Sequence, residues 1–231
     1  MTTNWWPTGQ NLEDVFLFRC FKNLRSGRYL DVGAGNPGLA SVSLSFYKIG
    51  WTGILIEASE ASSTQLREQR PNDLVLNLAA SNANTSLEFH EFEDLGISTL
   101  DFDLARRFES ERKLNYEVKQ IQSMTLNSIL DDQAETSFEF MKIDVEGHEK
   151  MVLEGLNLFE YRPKVILIEA IDPFSKSRVS STFRHILSNA KYKFAYFDGI
   201  NEYFVCNEHS KLLRNFEIPI SVLDGPYFNN K

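Results

Sequence analysis

Cysteine is scarce in this 231-residue chain. Cys20 and Cys206 stand far apart among aromatic and apolar neighbours, which excludes a disulfide-stapled scaffold and a cysteine-ligated zinc site. No run of about 18 apolar residues occurs, so no transmembrane segment is expected. Met1–Gln10, carrying Trp5, Trp6 and Pro7, lacks the basic and apolar blocks of a secretory leader, so a soluble, cytoplasmic protein is expected. Cations are the minority charge: 24 Lys plus Arg against 32 Asp plus Glu leave a net −8, a surface that repels phosphate backbones. Nucleic acid is therefore not an expected partner. The seven prolines and twelve glycines are dispersed, with no repeat or low-complexity linker. A single domain over residues 1–231 is the consequence, with 42% hydrophobic residues to fill one core.

The apolar pattern then orders the elements. Leu12, Val15, Phe16, Cys20 and Leu24 recur at helical spacing behind Glu13 and Asp14, whose charges suit a helix N-terminus, so residues 1–27 form an N-terminal helical segment. Short buried strands are predicted at Tyr29–Val32, Gly53–Glu57, Leu74–Ala79, Phe138–Ile143 and Val165–Glu169. Helices are predicted around Leu44–Tyr47, Ser62–Gln69 and His148–Leu156, and over Phe183, Ile186, Leu187 and Ala190. Residues 82–118 read as an insertion contributing to the acceptor site, with an edge strand at Leu87 and Phe89 and a solvated helix or loop at Arg106–Lys113. Lys193–Phe197 and Ile200–Val205 flank Asp198-Gly199, a two-residue hairpin signal. This order predicts an α/β fold: a doubly wound, mostly parallel sheet with an antiparallel C-terminal hairpin.

Gly33, Gly35 and Gly38 follow the first strand, and Glu57 lies 22 residues beyond Gly35 at the end of the second. A glycine loop admits close backbone approach, and a carboxylate at the second strand end can accept two ribose hydroxyls, so a nucleoside-bearing cofactor is implied. Asp31, two residues before the loop, would be unfavourable beside a diphosphate but suits the cationic end of S-adenosylmethionine. Pro37 also removes one anion-binding N–H. An NAD(P)-dependent reductase, or a degenerate nucleoside-fold scaffold or glycan-binding protein, remains open at this point.

The chain resembles the FkbM-type S-adenosylmethionine-dependent methyltransferases from about Gln10 to Phe204. The likeness rests on Gln10-Asn11-Leu12-Glu13-Asp14-Val15, Leu30-Asp31-Val32-Gly33-Ala34-Gly35, Ile56-Glu57-Ala58, Asn77-Leu78-Ala79-Ala80-Ser81, Ser98-Thr99-Leu100 and Ile168-Glu169-Ala170. The most specific block is Met141-Lys142-Ile143-Asp144-Val145-Glu146-Gly147-His148-Glu149. The resemblance implies a class I, Rossmann-like, seven-stranded methyltransferase fold and methyl transfer to a hydroxyl of a sugar, glycan or related metabolite. The segment Phe197–Tyr203 is similar to members associated with surface-polysaccharide synthesis, which points to a saccharide acceptor.

In an open α/β sheet the ligands gather at the carboxyl ends of the strands. Cofactor-binding candidates are therefore Asp31, Gly33, Ala34, Gly35, Asn36, Glu57, Ala58, Ala79, Ala80, Ser81 and Asp144. Asp144 is the first candidate for the base that removes the hydroxyl proton, with Glu146 and His148 as alternatives. Asp144 and Glu146 read equally as helix caps, and His148 as a solvated first-turn residue. A metal-free reaction is favoured, although Asp144, Glu146, Glu169 and Asp198 offer the oxygen ligands that Mg2+ or Ca2+ requires. Ser98 and Thr99 are candidates for contact with donor or acceptor. Trp5, Trp6, Phe16, Phe197 and Tyr203 form either a sugar-stacking wall or part of the core.

Overall fold

A computed structural model describes residues 5–38, 40–93, 96–133 and 136–224, so both ends of the expected domain over 1–231 lie outside the described residues. In chain order the elements are α1 (Glu13–Phe21), β1 (Arg28–Val32), α2 (Val42–Tyr47), β2 (Thr52–Glu57), α3 (Glu60–Gln69) and β3 (Leu74–Asn77). Next come β4 (Ala79–Ala80), β5 (Thr85–Phe92), α4 (Phe102–Arg112), β6 (Tyr116–Met124) and α5 (Leu126–Asp131). The chain continues through β7 (Phe140–Ile143), α6 (Glu149–Glu154), β8 (Val165–Glu169), α7 (Arg184–Asn189), β9 (Tyr192–Phe197) and β10 (Asn201–Cys206), then 3-10 turns over Asn207–Phe216.

Seven strands form one sheet in the order β3-β2-β1-β7-β8-β10-β9. The first five are parallel, and β10 runs antiparallel to both β8 and β9. The expected mostly parallel sheet with an antiparallel edge is therefore present. The central strands are apolar on both sides because both sides are covered. Leu30, Ile54, Met141 and Ile166 pack with Ile129 and Leu153 on one face. Tyr29, Leu55, Phe140 and Leu167 pack with Phe16 and Phe46 on the other. From β1 the chain winds outward through β2 and β3, then returns to place β7 on the opposite side of β1. That reversal opens a crevice at the carboxyl ends of β1 and β7.

Three local expectations are corrected, and at Arg106–Lys113 the helix alternative holds. The strand read over Leu74–Ala79 stops at Asn77, whose amide donates to the carbonyls of Glu57 and Ala58, each at 3.0 Å. Ala79 and Ala80 then leave the main sheet and pair with Ser123 and Met124. The insertion holds a second sheet, β4-β6-β5, whose β6 carries too many polar residues (Glu117, Lys119, Gln120, Gln122) to register as a strand from pattern. Arg106–Arg112 completes α4, capped by Asp101, whose Oδ1 accepts the Leu104 N–H at 3.0 Å. Finally, Phe197 pairs with Glu202, so the hairpin loop spans four residues, 198–201. Asp198 Oδ1 accepts the N–H groups of Ile200 and Asn201 and holds that longer loop.

Of the aromatic residues considered for a sugar wall, Trp5 stacks on Phe18 at 4.3 Å, and Phe16 and Tyr203 are core residues. The Phe197 ring carries the Arg178 guanidinium at 3.6 Å. Trp6 is exposed.

Candidate active site

The ends of β1, β2, β7 and β8 surround a cavity of about 910 Å³, roofed by β5 and β6 and bordered by Gln10 and Glu13 from the N-terminal segment. Strand order alone arranges its chemistry. Glu57 terminates β2, the glycine loop follows β1, Asp144 follows β7 and Glu169 ends β8. With neighbouring strands about 4.8 Å apart, β2 and β8 are separated by roughly 14 Å. Carboxylates thus stand at both ends of an elongated site.

On the β2 side, Glu57 is buried and each oxygen accepts a backbone N–H at 2.7 Å, one from Gly35 and one from Ser59. Burial raises its pKa above the ordinary carboxylate value despite those donors. Gly33 has φ +76°, and a Cβ there would lie 1.8 Å from the Asp144 carbonyl oxygen, so only glycine lets the two strand ends close. At Gly35, φ +62°, a Cβ would meet nothing within 4 Å. Ala34, Asn36, Ala58, Ala79 and Ala80 line the same cavity.

Asp31 is not among the lining residues. It is buried behind the loop, where Oδ2 accepts the Ser43 hydroxyl and Oδ1 lies 3.7 Å from Lys142 Nζ. Ser43 in turn accepts from Arg70, a buried guanidinium paired with Asp73 at 2.8 Å. The acid that sequence reasoning set beside a ligand is therefore joined to an internal charge network.

Lys142, quoted in the sequence only within a motif, lines the cavity floor. Its Nζ donates to the Gly33 carbonyl at 2.9 Å and pairs with Asp144 Oδ2 at 3.1 Å. Burial opposes its charge, but Asp144 and Asp31 outweigh that and hold its pKa above the ordinary lysine value. The available signal was a lysine inside the otherwise apolar strand Phe140–Ile143, since buried lysines persist only when paired. Glu13, read from the sequence as a helix-dipole partner, is buried against the cavity. It accepts from Asn11 N–H and Asn201 Nδ2, and desolvation raises its pKa to about 7.

Asp144, Glu146 and Glu169 each place a carboxylate oxygen within 4.8 Å of the others. Asp198 is not in that group, because its carboxylate serves the hairpin loop and the Tyr203 hydroxyl at 2.7 Å. Desolvation, and then the charge of Asp144, raise the pKa values of Glu146 and Glu169. Glu146 has φ +52° and Gly147 φ +94°. This left-handed pair is held by Thr99 Oγ1, which donates to the Glu146 carbonyl at 2.6 Å, and by Glu149. Glu149 Oε1 accepts the N–H groups of Val145 and Gly147, so Glu149 organises the turn, whereas neither Asp144 nor Glu146 is the N-cap residue of α6.

His148 is the N-cap residue, without a side-chain cap, and its Nε2 lies 2.9 Å from Ser81 Oγ. Neither residue lines the cavity, and burial lowers the His148 pKa. Ser98 does line it, with its hydroxyl accepting the Phe92 N–H at 3.0 Å.

A glycine loop after β1, an acid ending β2 and this strand order define a class I S-adenosylmethionine-dependent methyltransferase fold. Residues 31–198 match the methyltransferase FkbM domain, and the chain belongs to that family. Its fold is similar to the methyltransferase FkbM from Methylobacillus flagellatus, at 18% identity and a TM-score of 0.50 over 84% of this chain and 54% of that one. This chain thus spans about half the length of that relative. A TehB-like S-adenosylmethionine-dependent methyltransferase from Corynebacterium glutamicum aligns at 10% identity and a TM-score of 0.45, over 83% of this chain and 88% of that one. The precorrin-6y C5,15-methyltransferase from Geobacter metallireducens aligns at 13% and 0.45, over 89% and 92%. No curated protein matches the chain. No helix among the described residues is long and apolar enough to cross a membrane.

Proposed function

We propose that the protein is an O-methyltransferase acting on a hydroxyl of a sugar, glycan or related polyol. The carrying observation is the trio Asp144, Glu146 and Glu169, gathered within 4.8 Å at the opposite end of the cavity from Glu57. The residues present fit S-adenosylmethionine: an open glycine loop with a buried acid beside it for the nucleoside, and carboxylates farther along for a cationic methionyl end. In this reading Glu57 holds the ribose, the 33–36 loop lies against the methionyl chain beyond the sulfur, and Ala58, Ala79 and Ala80 cover the base.

Bound S-adenosylmethionine supplies an electrophilic methyl group. The remaining tasks belong to the protein: aligning the acceptor oxygen, excluding water and receiving the hydroxyl proton. Asp144 takes that proton, with Glu146 as the alternative base because its raised pKa, about 8, lies near neutral pH. The contact of His148 Nε2 with Ser81 Oγ at 2.9 Å favours a supporting role for His148 over that of base. Residues 82–118 act with the rest of the chain as one catalytic domain and cover the acceptor. Acids outnumber lysines around the cavity, with Lys119 and Lys142 facing Glu13, Glu57, Glu91, Glu93, Glu117 and the trio. That balance favours an uncharged saccharide over a phosphorylated acceptor or nucleic acid. Two free cysteines suit a cytoplasmic setting.

Calorimetric titration with S-adenosylmethionine, S-adenosylhomocysteine and NADH tests the donor assignment. Because the trio is also a hard-cation ligand set, each titration is run with and without Mg2+. Saturable binding of the first two is expected, followed by mass gain of one methyl group on neutral glycosides. Binding of NADH alone would indicate a reductase, and no binding by folded protein a degenerate scaffold.

A further inference from the structure

Lys142 is the cation at the centre of the site, and its neighbours come from both strands flanking the winding reversal. Its side chain is 9% exposed. A buried ammonium persists when its donors are matched, and three partners surround this one: Gly33 O at 2.9 Å, Asp144 Oδ2 at 3.1 Å and Asp31 Oδ1 at 3.7 Å. Asp31 Oδ1 accepts no hydrogen bond, so its attraction to Lys142 is purely Coulombic. The other lysine of the cavity, Lys119, is drawn to Glu91 in the roof. Lys142 therefore supplies the fixed positive charge of the cavity floor.

We propose that Lys142 is a positioning residue for the methyl donor, one that pins the Gly33 carbonyl and the Asp144 carboxylate and sets the site's preference between the cationic donor and its neutral demethylated product. The inference rests on reading the cavity as the S-adenosylmethionine site. Donor and product differ by the methyl group and by the sulfonium charge it confers. A positive charge held at the floor opposes the donor relative to the product, while the carboxylates favour it. Removing the lysine charge leaves the carboxylates unopposed.

The test compares S-adenosylmethionine and S-adenosylhomocysteine by calorimetry on the wild-type protein and Lys142→Met. Both affinities should fall, because the loop loses its anchor. The ratio of product Kd to donor Kd should rise roughly tenfold, the order expected of a unit charge acting across about 10 Å of protein. Lys142→Gln keeps an N–H donor for Gly33 and serves if the methionine variant does not fold; it should raise the ratio similarly. Lys142→Arg restores the charge and should restore the wild-type ratio. A folded neutral variant that weakens both ligands by the same factor, with the ratio within about twofold of wild type, overturns the proposal and leaves Lys142 a purely structural residue. A wild-type protein that binds neither ligand overturns the reading of the cavity, and this inference with it.

Discussion

Gly33→Ala measures how closely the ends of β1 and β7 must approach. The added Cβ would lie 1.8 Å from the Asp144 carbonyl oxygen and 2.8 Å from its carbon, contacts with backbone that no rotamer change relieves. At φ +76° an L-residue also carries the left-handed penalty, roughly 1–2 kcal/mol. Overpacking adds about 1–3 kcal/mol, so the substitution should cost about 2–5 kcal/mol in all. Against the roughly 5–15 kcal/mol typical of a folded domain, a mid-range loss removes about a third of the stability. Gly35→Ala provides the control, because φ is +62° but nothing lies within 4 Å of the added carbon. It should lose the conformational part alone, about 1–2 kcal/mol. Urea unfolding of the two variants and wild type, with m unchanged, reads the difference from the midpoints. At about 2–4 °C per kcal/mol, Gly33→Ala should melt roughly 5–20 °C lower than wild type. Equal losses in both variants would refute the close approach of Gly33 to Asp144.

Glu57→Ala removes the acceptor of two N–H bonds at 2.7 Å and the carboxylate assigned to the ribose. At about 1.5–3 kcal/mol for a bond to a charged group, S-adenosylmethionine affinity should fall at least tenfold by calorimetry, and unchanged affinity would place the donor elsewhere. Asp144→Asn should weaken S-adenosylmethionine binding by about tenfold, through loss of a unit charge near the sulfonium, and lose about 10²–10⁴-fold in turnover at saturating donor on an acceptor that the wild type methylates; full turnover would remove Asp144 as base. Stability should rise on mild acidification. Glu13 and Glu149 have folded pKa values of about 7 against an ordinary 4.5, and Asp14 about 6 against 3.8. The folded state therefore holds more protons than the unfolded state between those values. The stability these groups contribute is fully present below the unfolded pKa and is lost as pH rises through the folded one. The urea midpoint should be higher at pH 5.5 than at pH 8, and the reverse order would contradict the burial of these three acids.

The strands at β1, β2, β7 and β8 were legible because each is a short apolar run buried on two faces, a pattern that no exposed element shares. β6 was not legible. Glu117, Val118, Lys119 and Gln120 are exposed, so no buried face imposes an alternation, and the strand is specified by its ladder with β5. Polar positions misled in a related way. Glu13 and Asp14 match a helix-dipole pattern, but Asp14 accepts from Thr8 and Gly9 inside the fold, and Leu12 begins the helix in a left-handed conformation. The Lys142–Glu149 block was readable as a unit. The division of labour within it was not, because Glu149 faces the turn's N–H groups, His148 faces Ser81 and Lys142 faces Gly33.

Local spacing, then, was enough for the alternation of strands and helices, the glycine loop, the acid 22 residues beyond Gly35 and the family resemblance. These are properties of neighbouring residues, and periodicity and motif spacing report them directly. Which carboxylates share a cavity depends on strand order and on contacts across large sequence separations. Asp144 meets Glu169 because β7 and β8 are adjacent, whereas Asp198 is turned into its own loop and Asp31 lies behind the floor with Ser43. Lys142 reaches Gly33 across 109 residues, a distance over which no local pattern carries information and only the paired strands bring the atoms together.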